Sequence, residues 1–79
     1  MENKSHECVL VTLFATNLRR RRLELSLSQE VLAERAGVHR TYIGMLERGE
    51  KNATLSSIER IAIALDVDAH TLLQRRDEV

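Results

Sequence analysis

The sequence predicts an all-α chain of five helices, and three observations carry that reading. There is no proline, and there are only 3 glycines in 79 residues, so little interrupts a helical backbone. Apolar residues recur at helical spacing in several separate stretches. The short polar gaps between those stretches hold residue types that cap or stop helices. Hydrophobic residues make up 43% and aromatics 3%, so the core is aliphatic, and a chain of this length builds one domain. A helical fold this small buries a modest share of its surface, and a dimer interface would help to stabilise it.

Residues 1–7 are polar and are expected to form a disordered tail. The first helix is expected from Cys8 or Val9 to about Leu25. Val11, Phe14, Leu18 and Leu25 fall on one stripe, and Arg22 falls on it too. The run Arg19 to Arg22 points in all directions on a helix. Arg22 is therefore aimed partly at the core, whereas Arg20 and Arg21 read by default as a solvated face. Ser26-Leu27-Ser28 breaks the pattern. Ser28 is a good N-cap for the second helix, and Glu30 places a negative charge in its first turn. Leu32, Ala33 and Ala36 give that helix a small apolar face, and Gly37 ends it in a left-handed residue. Val38 can tuck back into the core.

The third helix begins near His39 or Arg40. Ile43 and Leu46 face inward, and His39, Arg40, Thr41, Gly44 and Met45 fall on its outer side. Gly49 stops it, and residues 50–53 make a polar loop. Thr54 caps a fourth helix whose apolar stripe is Leu55, Ile58, Ile61, Ala62 and Leu65. After the turn Asp66-Val67-Asp68, Asp68 caps a last short helix from Ala69 to about Arg75, with Leu72 and Leu73 as its apolar residues. Residues 76–79 fray, so one domain is expected over 8–75.

Several function classes are disfavoured. The formal net charge is +0 and the pI about 6.8, which counts mildly against a nucleic-acid binder, although one basic face suffices for that role. Cys8 is the only cysteine, so no intrachain disulfide and no thiolate metal site can form, in keeping with a reducing cytoplasm. The apolar run Val9 to Ala15 is too short to span a bilayer, and the acidic start does not suit a signal peptide. His6, His39 and His70 are scattered, and His6 with Cys8 would be only two ligands on a frayed end. No metal, no cofactor and no catalytic residue are expected.

Residues 29–48 (QEVLAERAGVHRTYIGMLER) make a helix, a glycine-containing turn and a second helix, the plan of a DNA-binding helix-turn-helix. The wider segment SLSQEVLAERAGVHRTYIGMLERGEKNATLSSIERIAIALDV resembles the Cro/CI-type, XRE-like helix-turn-helix family of bacterial and phage repressors, from about Phe14 to Leu73. The motif LSQEVLA, the turn Ala36-Gly37-Val38 and the end Ile43-x-x-Leu46-Glu47-Arg48-Gly49 carry the resemblance together. RTYIGMLERGEKN also resembles the controller proteins of restriction-modification systems, which are small homodimeric regulators. Two positions depart from the pattern: Ser26 stands where glycine is common, and Ala53 where proline is common.

The resemblance implies a lambda-repressor-like bundle with the helix-turn-helix in helices 2 and 3, bound to a double-stranded DNA operator. Arg40 is the first choice for base reading, because a guanidinium bonds guanine O6 and N7 together. Thr41 can bond a base edge or touch a thymine methyl. His39 reaches base or phosphate, or is only an exposed helix-start residue. Tyr42 sends its hydroxyl to a phosphate or simply packs. Gly44 and Met45 allow close approach or an apolar contact, which leaves part of the reading to DNA shape. The resemblance puts Gln29 beside the DNA backbone, against a plain solvated first-turn residue. It also makes Lys51 and Asn52 phosphate contacts, with Arg48 adding to them. It further implies that Arg22 and Glu47 form a buried structural pair.

A two-fold operator calls for a homodimer, expected through Val67, Leu72 and Leu73 unless these merely close the monomer core. Such a protein represses, or activates by touching RNA polymerase. Two rivals compete with this reading. One is an antitoxin-type regulator, which needs an extra segment that this chain hardly has to spare. The other is a protein-interaction bundle without DNA binding, which Gly44, Met45 and the zero net charge favour.

Overall fold

Four α-helices end by the same device, and that device sets the path of the chain. The computed structural model describes residues 8–76, so the expected tail over 1–7 and most of the expected frayed end lie outside the described residues. The helices are α1 (Val9–Glu24), α2 (Gln29–Ala36), α3 (Arg40–Glu47) and α4 (Leu55–Ala64), followed by a 3-10 turn at Ala69–Leu73. Each α-helix closes on a residue with positive φ: Ser26 at 59°, Gly37 at 73°, Gly49 at 72° and Asp66 at 61°. In each case the next N–H reaches back to a carbonyl five residues earlier. Leu27 bonds Arg22, Val38 bonds Ala33, Glu50 bonds Met45 and Val67 bonds Ala62, at 2.9–3.1 Å. This is the Schellman closure, which satisfies the otherwise orphaned last carbonyls. The starts are also partly capped: Ser28 Oγ accepts from Val31 N–H at 3.0 Å and Thr54 Oγ1 from Ser57 N–H at 3.1 Å.

These turns bring the apolar stripes together. Phe14 and Leu18 of α1, Leu32, Ala33 and Ala36 of α2, Ile43 and Leu46 of α3, and Ile58, Ile61 and Ala62 of α4 are buried in one cluster, with Leu65 and Leu72 completing it. Val38 packs against the cluster as expected. Leu55 does not join it: at the first position of α4 it is 83% exposed, because the chain enters the helix from outside and the buried stripe starts only at Ser57 and Ile58. No helix among the described residues is long and apolar enough to cross a membrane.

The expected fifth α-helix is a 3-10 turn, for two reasons. Asp68 makes no side-chain capping bond; instead its carbonyl accepts both N–H and Oγ1 of Thr71, at 3.0 and 2.7 Å, the i to i+3 pattern of a tight turn. Beyond it, the buried Asn17 of α1 donates Nδ2 to the carbonyls of Leu72 and Gln74, both at 2.9 Å. Those bonds hold Gln74 extended (ψ 144°) and end the helix. Leu72, at 2% exposure, is thereby locked into the monomer core.

A left-handed backbone costs an L-residue about 1–2 kcal/mol, from which glycine is exempt at some cost in chain entropy. Ser26→Gly is therefore expected to stabilise the fold by about 0.5–1 kcal/mol. Gly49→Ala, whose added Cβ meets nothing within 4 Å, is expected to destabilise it by about 1–2 kcal/mol through backbone strain alone. Thermal or urea unfolding of both variants checks the pair, and a lower melting temperature for Ser26→Gly would contradict the strain argument.

Candidate nucleic-acid interface

The outer surface of α3 rests on a buried ionic knot. Arg22 reaches from α1 and forks onto Glu47 at the end of α3, with Nε to Oε2 at 2.6 Å and Nη2 to Oε1 at 3.0 Å. Its third nitrogen, Nη1, donates to the Leu27 carbonyl at 2.8 Å. Gln29, the first residue of α2, donates Nε2 to Glu47 Oε1 at 3.0 Å. The Glu47 side chain is 3% exposed and that of Arg22 10%. The hydrogen bond to Glu47 raises the Arg22 pKa above its ordinary value despite the opposing effect of burial. One carboxylate thus ties together α1, the start of α2 and the end of α3. Arg19 stands at the rim, its Nε 3.9 Å from Glu47 Oε1 and its side chain 62% exposed.

Above this knot, His39, Arg40 and Thr41 are exposed at the start of α3. His39 occupies the N-cap position without a side-chain capping bond. Tyr42 is half-buried and packs against the core, and Met45 is half-buried. Gly44, expected on the outer side, is buried. It does face outward, but the Gln29 and Arg48 side chains lie over it: a Cβ there would stand 3.2 Å from Arg48 Nη1 and 3.7 Å from Gln29 Oε1. The glycine makes room for its own neighbours. Lys51 and Asn52 are exposed in the following loop.

Arg48 is not a free cation in this state. Its guanidinium forks onto Glu50, a residue the sequence did not single out. Nor are Arg20 and Arg21 simply solvated. Arg20 Nη2 donates to Asn17 Oδ1 at 2.6 Å, which orients the amide that holds the closing turn. Arg21 Nε donates to the Leu65 carbonyl at 3.0 Å, a cation at the C-terminus of α4, where the helix dipole favours it.

Of the three residues expected at a dimer interface, Val67 and Leu72 line one cleft and Leu73 another. Leu72 is in the core. Val67 is half-buried and lines clefts with Arg21 and Thr71 on one side and with Ile63 and Asp66 on the other. Leu73 lines a separate apolar groove with Leu10, Val11, Leu55 and Ile58, adjoining Lys51 and Asn52. Six large apolar residues that the sequence reading did not place on the surface are exposed among the described residues: Val9, Leu10, Leu23, Val31, Leu55 and Ile63, of which Leu55 and Ile63 are the most exposed at 83 and 71%.

Removing one partner of a buried pair strands the other charge, typically at about 3–5 kcal/mol, whereas replacing both by apolar residues is often neutral. Arg22→Met is expected to lose stability in that range. The double variant Arg22→Met with Glu47→Leu is expected to recover most of it. Chemical denaturation of the two variants measures this, and an Arg22→Met protein as stable as the parent would show the knot to be ornamental.

Known proteins resemble this chain in sequence and in fold. Over 64 residues the chain is 48% identical to the control protein C.SmaI of Serratia marcescens, covering 81% of this chain and 76% of that protein. Among solved structures it is similar to the restriction-modification controller protein C.AhdI of Aeromonas hydrophila, with a TM-score of 0.76, 40% identity, and coverage of 78% of this chain and 94% of that one. It is also similar to the controller protein C.Esp1396I, solved as a tetramer in complex with its natural 35 base-pair operator. There the TM-score is 0.77 and the identity 33%, over 84% of this chain and 87% of that one. Residues 18–72 match the helix-turn-helix family HTH_3, and the chain belongs to that family.

Proposed function

We propose that this chain is a sequence-specific DNA-binding transcriptional regulator, a cytoplasmic homodimer that sets α3 into the major groove of a pseudo-palindromic operator and performs no catalysis. The observation that carries this reading is the exposed start of α3, His39-Arg40-Thr41, held on a rigid base by the buried Arg22–Glu47–Gln29 knot. A helix that reads bases must hold its register against the duplex, and its N-terminal residues make the base contacts. Arg40 reads guanine. Thr41 and His39 contact neighbouring base edges or phosphates, and Lys51, Asn52 and the start of α2 at Gln29 meet the backbone. Met45 lies against the groove wall and Tyr42 packs beside it. Residues 8–75 act as the DNA-binding domain.

The similarity to C.SmaI and to C.Esp1396I on its operator favours the narrower reading of a restriction-modification controller. On its operator such a regulator represses by occlusion or activates by touching RNA polymerase. The dimer forms through the groove of Leu10, Leu55 and Leu73, with Leu72 left in the monomer core. That groove adjoins Lys51 and Asn52 at the edge of the DNA-facing surface, so a second copy seated there keeps both α3 helices on one side of the pair.

Selection from random duplex DNA with purified protein is expected to recover a palindrome with half-sites about one helical turn apart. Arg40→Ala should relax one base position per half-site, a loss of about 1–3 kcal/mol of discrimination. Failure to enrich any sequence, at low as well as physiological salt, would overturn the proposal in favour of an interaction module. Leu55→Glu is expected to convert the dimer to monomer in sedimentation without lowering the melting temperature of the monomer, since the residue is solvent-facing and a negative charge suits the first turn of α4. An unchanged dimer would place the interface elsewhere.

A further inference from the structure

The carboxylate of Glu50 lies side-on to the guanidinium of Arg48, with Nε to Oε2 at 2.8 Å and Nη2 to Oε1 at 3.2 Å. That edge of an arginine is one that takes a phosphate in two parallel bonds. The backbone builds the pairing. Gly49 at φ 72° reverses the chain, Glu50 N–H reaches the Met45 carbonyl at 2.9 Å and Gly49 N–H the Leu46 carbonyl at 3.1 Å. The closure of α3 thus swings the residue two beyond Arg48 back alongside it. The other nitrogen, Nη1, lies over Gly44, 3.2 Å from the point where a Cβ would stand, and Gln29 Oε1 lies 3.7 Å from the same point. The guanidinium therefore sits in the notch between the start of α2 and the middle of α3. Gln29 is the first residue of α2, and the N-terminus of a helix is where an anion such as a phosphate is favoured.

The pair is polarised: its hydrogen bonds raise the Arg48 pKa and lower that of Glu50. It is also exchangeable, since the two side chains are 59% and 51% exposed and exposed pairs hold weakly.

We propose that Glu50 is an internal phosphate mimic that keeps Arg48 occupied until a backbone phosphate in the correct register takes its place. This rests on the DNA-binding reading above and deepens it. Off the operator, the Arg48–Glu50 pair presents no net charge, so the notch contributes nothing to indiscriminate attraction. On an operator that sets a phosphate into the notch, Arg48 exchanges one oxyanion for another and becomes a DNA contact. Glu50 is thus a residue that tunes specificity by suppressing binding to unrelated DNA.

The test measures fluorescence anisotropy of a labelled random-sequence duplex three helical turns long with the parent protein, Glu50→Gln, Arg48→Ala and the double variant, across about 50–200 mM salt. Glu50→Gln is expected to tighten binding roughly three- to ten-fold at the low end and to steepen the log–log salt dependence by about 0.9, the signature of one added phosphate contact. In the Arg48→Ala background the same change is expected to give less than about a two-fold gain and no steeper salt dependence. An equal gain in both backgrounds would reduce the effect to the general removal of a negative charge and overturn the proposal. Unchanged or weaker binding by Glu50→Gln would overturn it as well, making Glu50 inert or a support for Arg48. If the parent and all variants fail to bind the duplex even at low salt, the DNA-binding reading itself falls, and the mimic with it. Melting temperatures, expected to match the parent for Glu50→Gln, confirm that folding is not what changes.

Discussion

The buried fork of Arg22 onto Glu47 is the constraint on which the rest of the molecule depends. Two ions out of water are expensive, and their attraction offsets that cost only when the remaining polar atoms are bonded too. Here they are. Arg22 spends its third nitrogen on the Leu27 carbonyl, and Glu47 accepts a further hydrogen bond from Gln29. Because a hydrophobic replacement of such a pair is often as stable, its contribution is positional. It fixes the end of α3 relative to α1 and the start of α2, the three elements that must keep register if α3 is to address a rigid partner. The Gln29 amide, expected at a phosphate, is oriented by the same carboxylate, so knot and surface are one structure.

The four consecutive arginines follow from helix geometry. Successive residues lie 100° apart on α1, and each guanidinium finds a different partner: Arg19 the rim of the Glu47 site, Arg20 the Asn17 amide, Arg21 the Leu65 carbonyl at the end of α4, and Arg22 the knot itself. Three of the four therefore assemble the bundle. The chain is neutral because its 12 basic and 12 acidic residues balance, but Arg20, Arg21 and Arg22 are committed to partners within the fold.

Much of this was legible in the sequence, and the parts that were not share a cause. The helices, their caps at Ser28 and Thr54, the left-handed Gly37 and the aliphatic core follow from local rules of spacing and termination. The departure at Ser26 was legible as well. The structure supplies its meaning, since a non-glycine residue holds a left-handed turn there. Illegible were the features decided by placement in three dimensions, whether a contact distant along the chain, the depth of a helix's first turn or the path of a tight turn. Asn17 gives no local sign that it will take two carbonyls more than fifty residues away, and those bonds are what shorten the expected fifth helix to a 3-10 turn. Leu55 fits the apolar period of α4, yet the period says nothing of whether the first turn of a helix has reached the core. Glu50 reads as one more polar loop residue until the turn at Gly49 folds it back onto Arg48.

Gly44 shows how the site's own packing limits what it can read. A glycine on the face of a recognition helix suggests bare backbone offered to the groove. Here the space above it is filled by Gln29 and Arg48, so at Gly44 the helix carries its neighbours' side chains instead of bare backbone. On the proposed function, direct base contacts then concentrate in the first turn, at His39, Arg40 and Thr41, with Met45 adding an apolar surface. So few reading groups leave the rest of the specificity to DNA shape and to phosphate register. A protein in that position gains from keeping its indiscriminate attraction low, because neither shape nor register can be tested while charge alone holds the duplex. Zero net charge and an arginine already engaged at the notch both work in that direction.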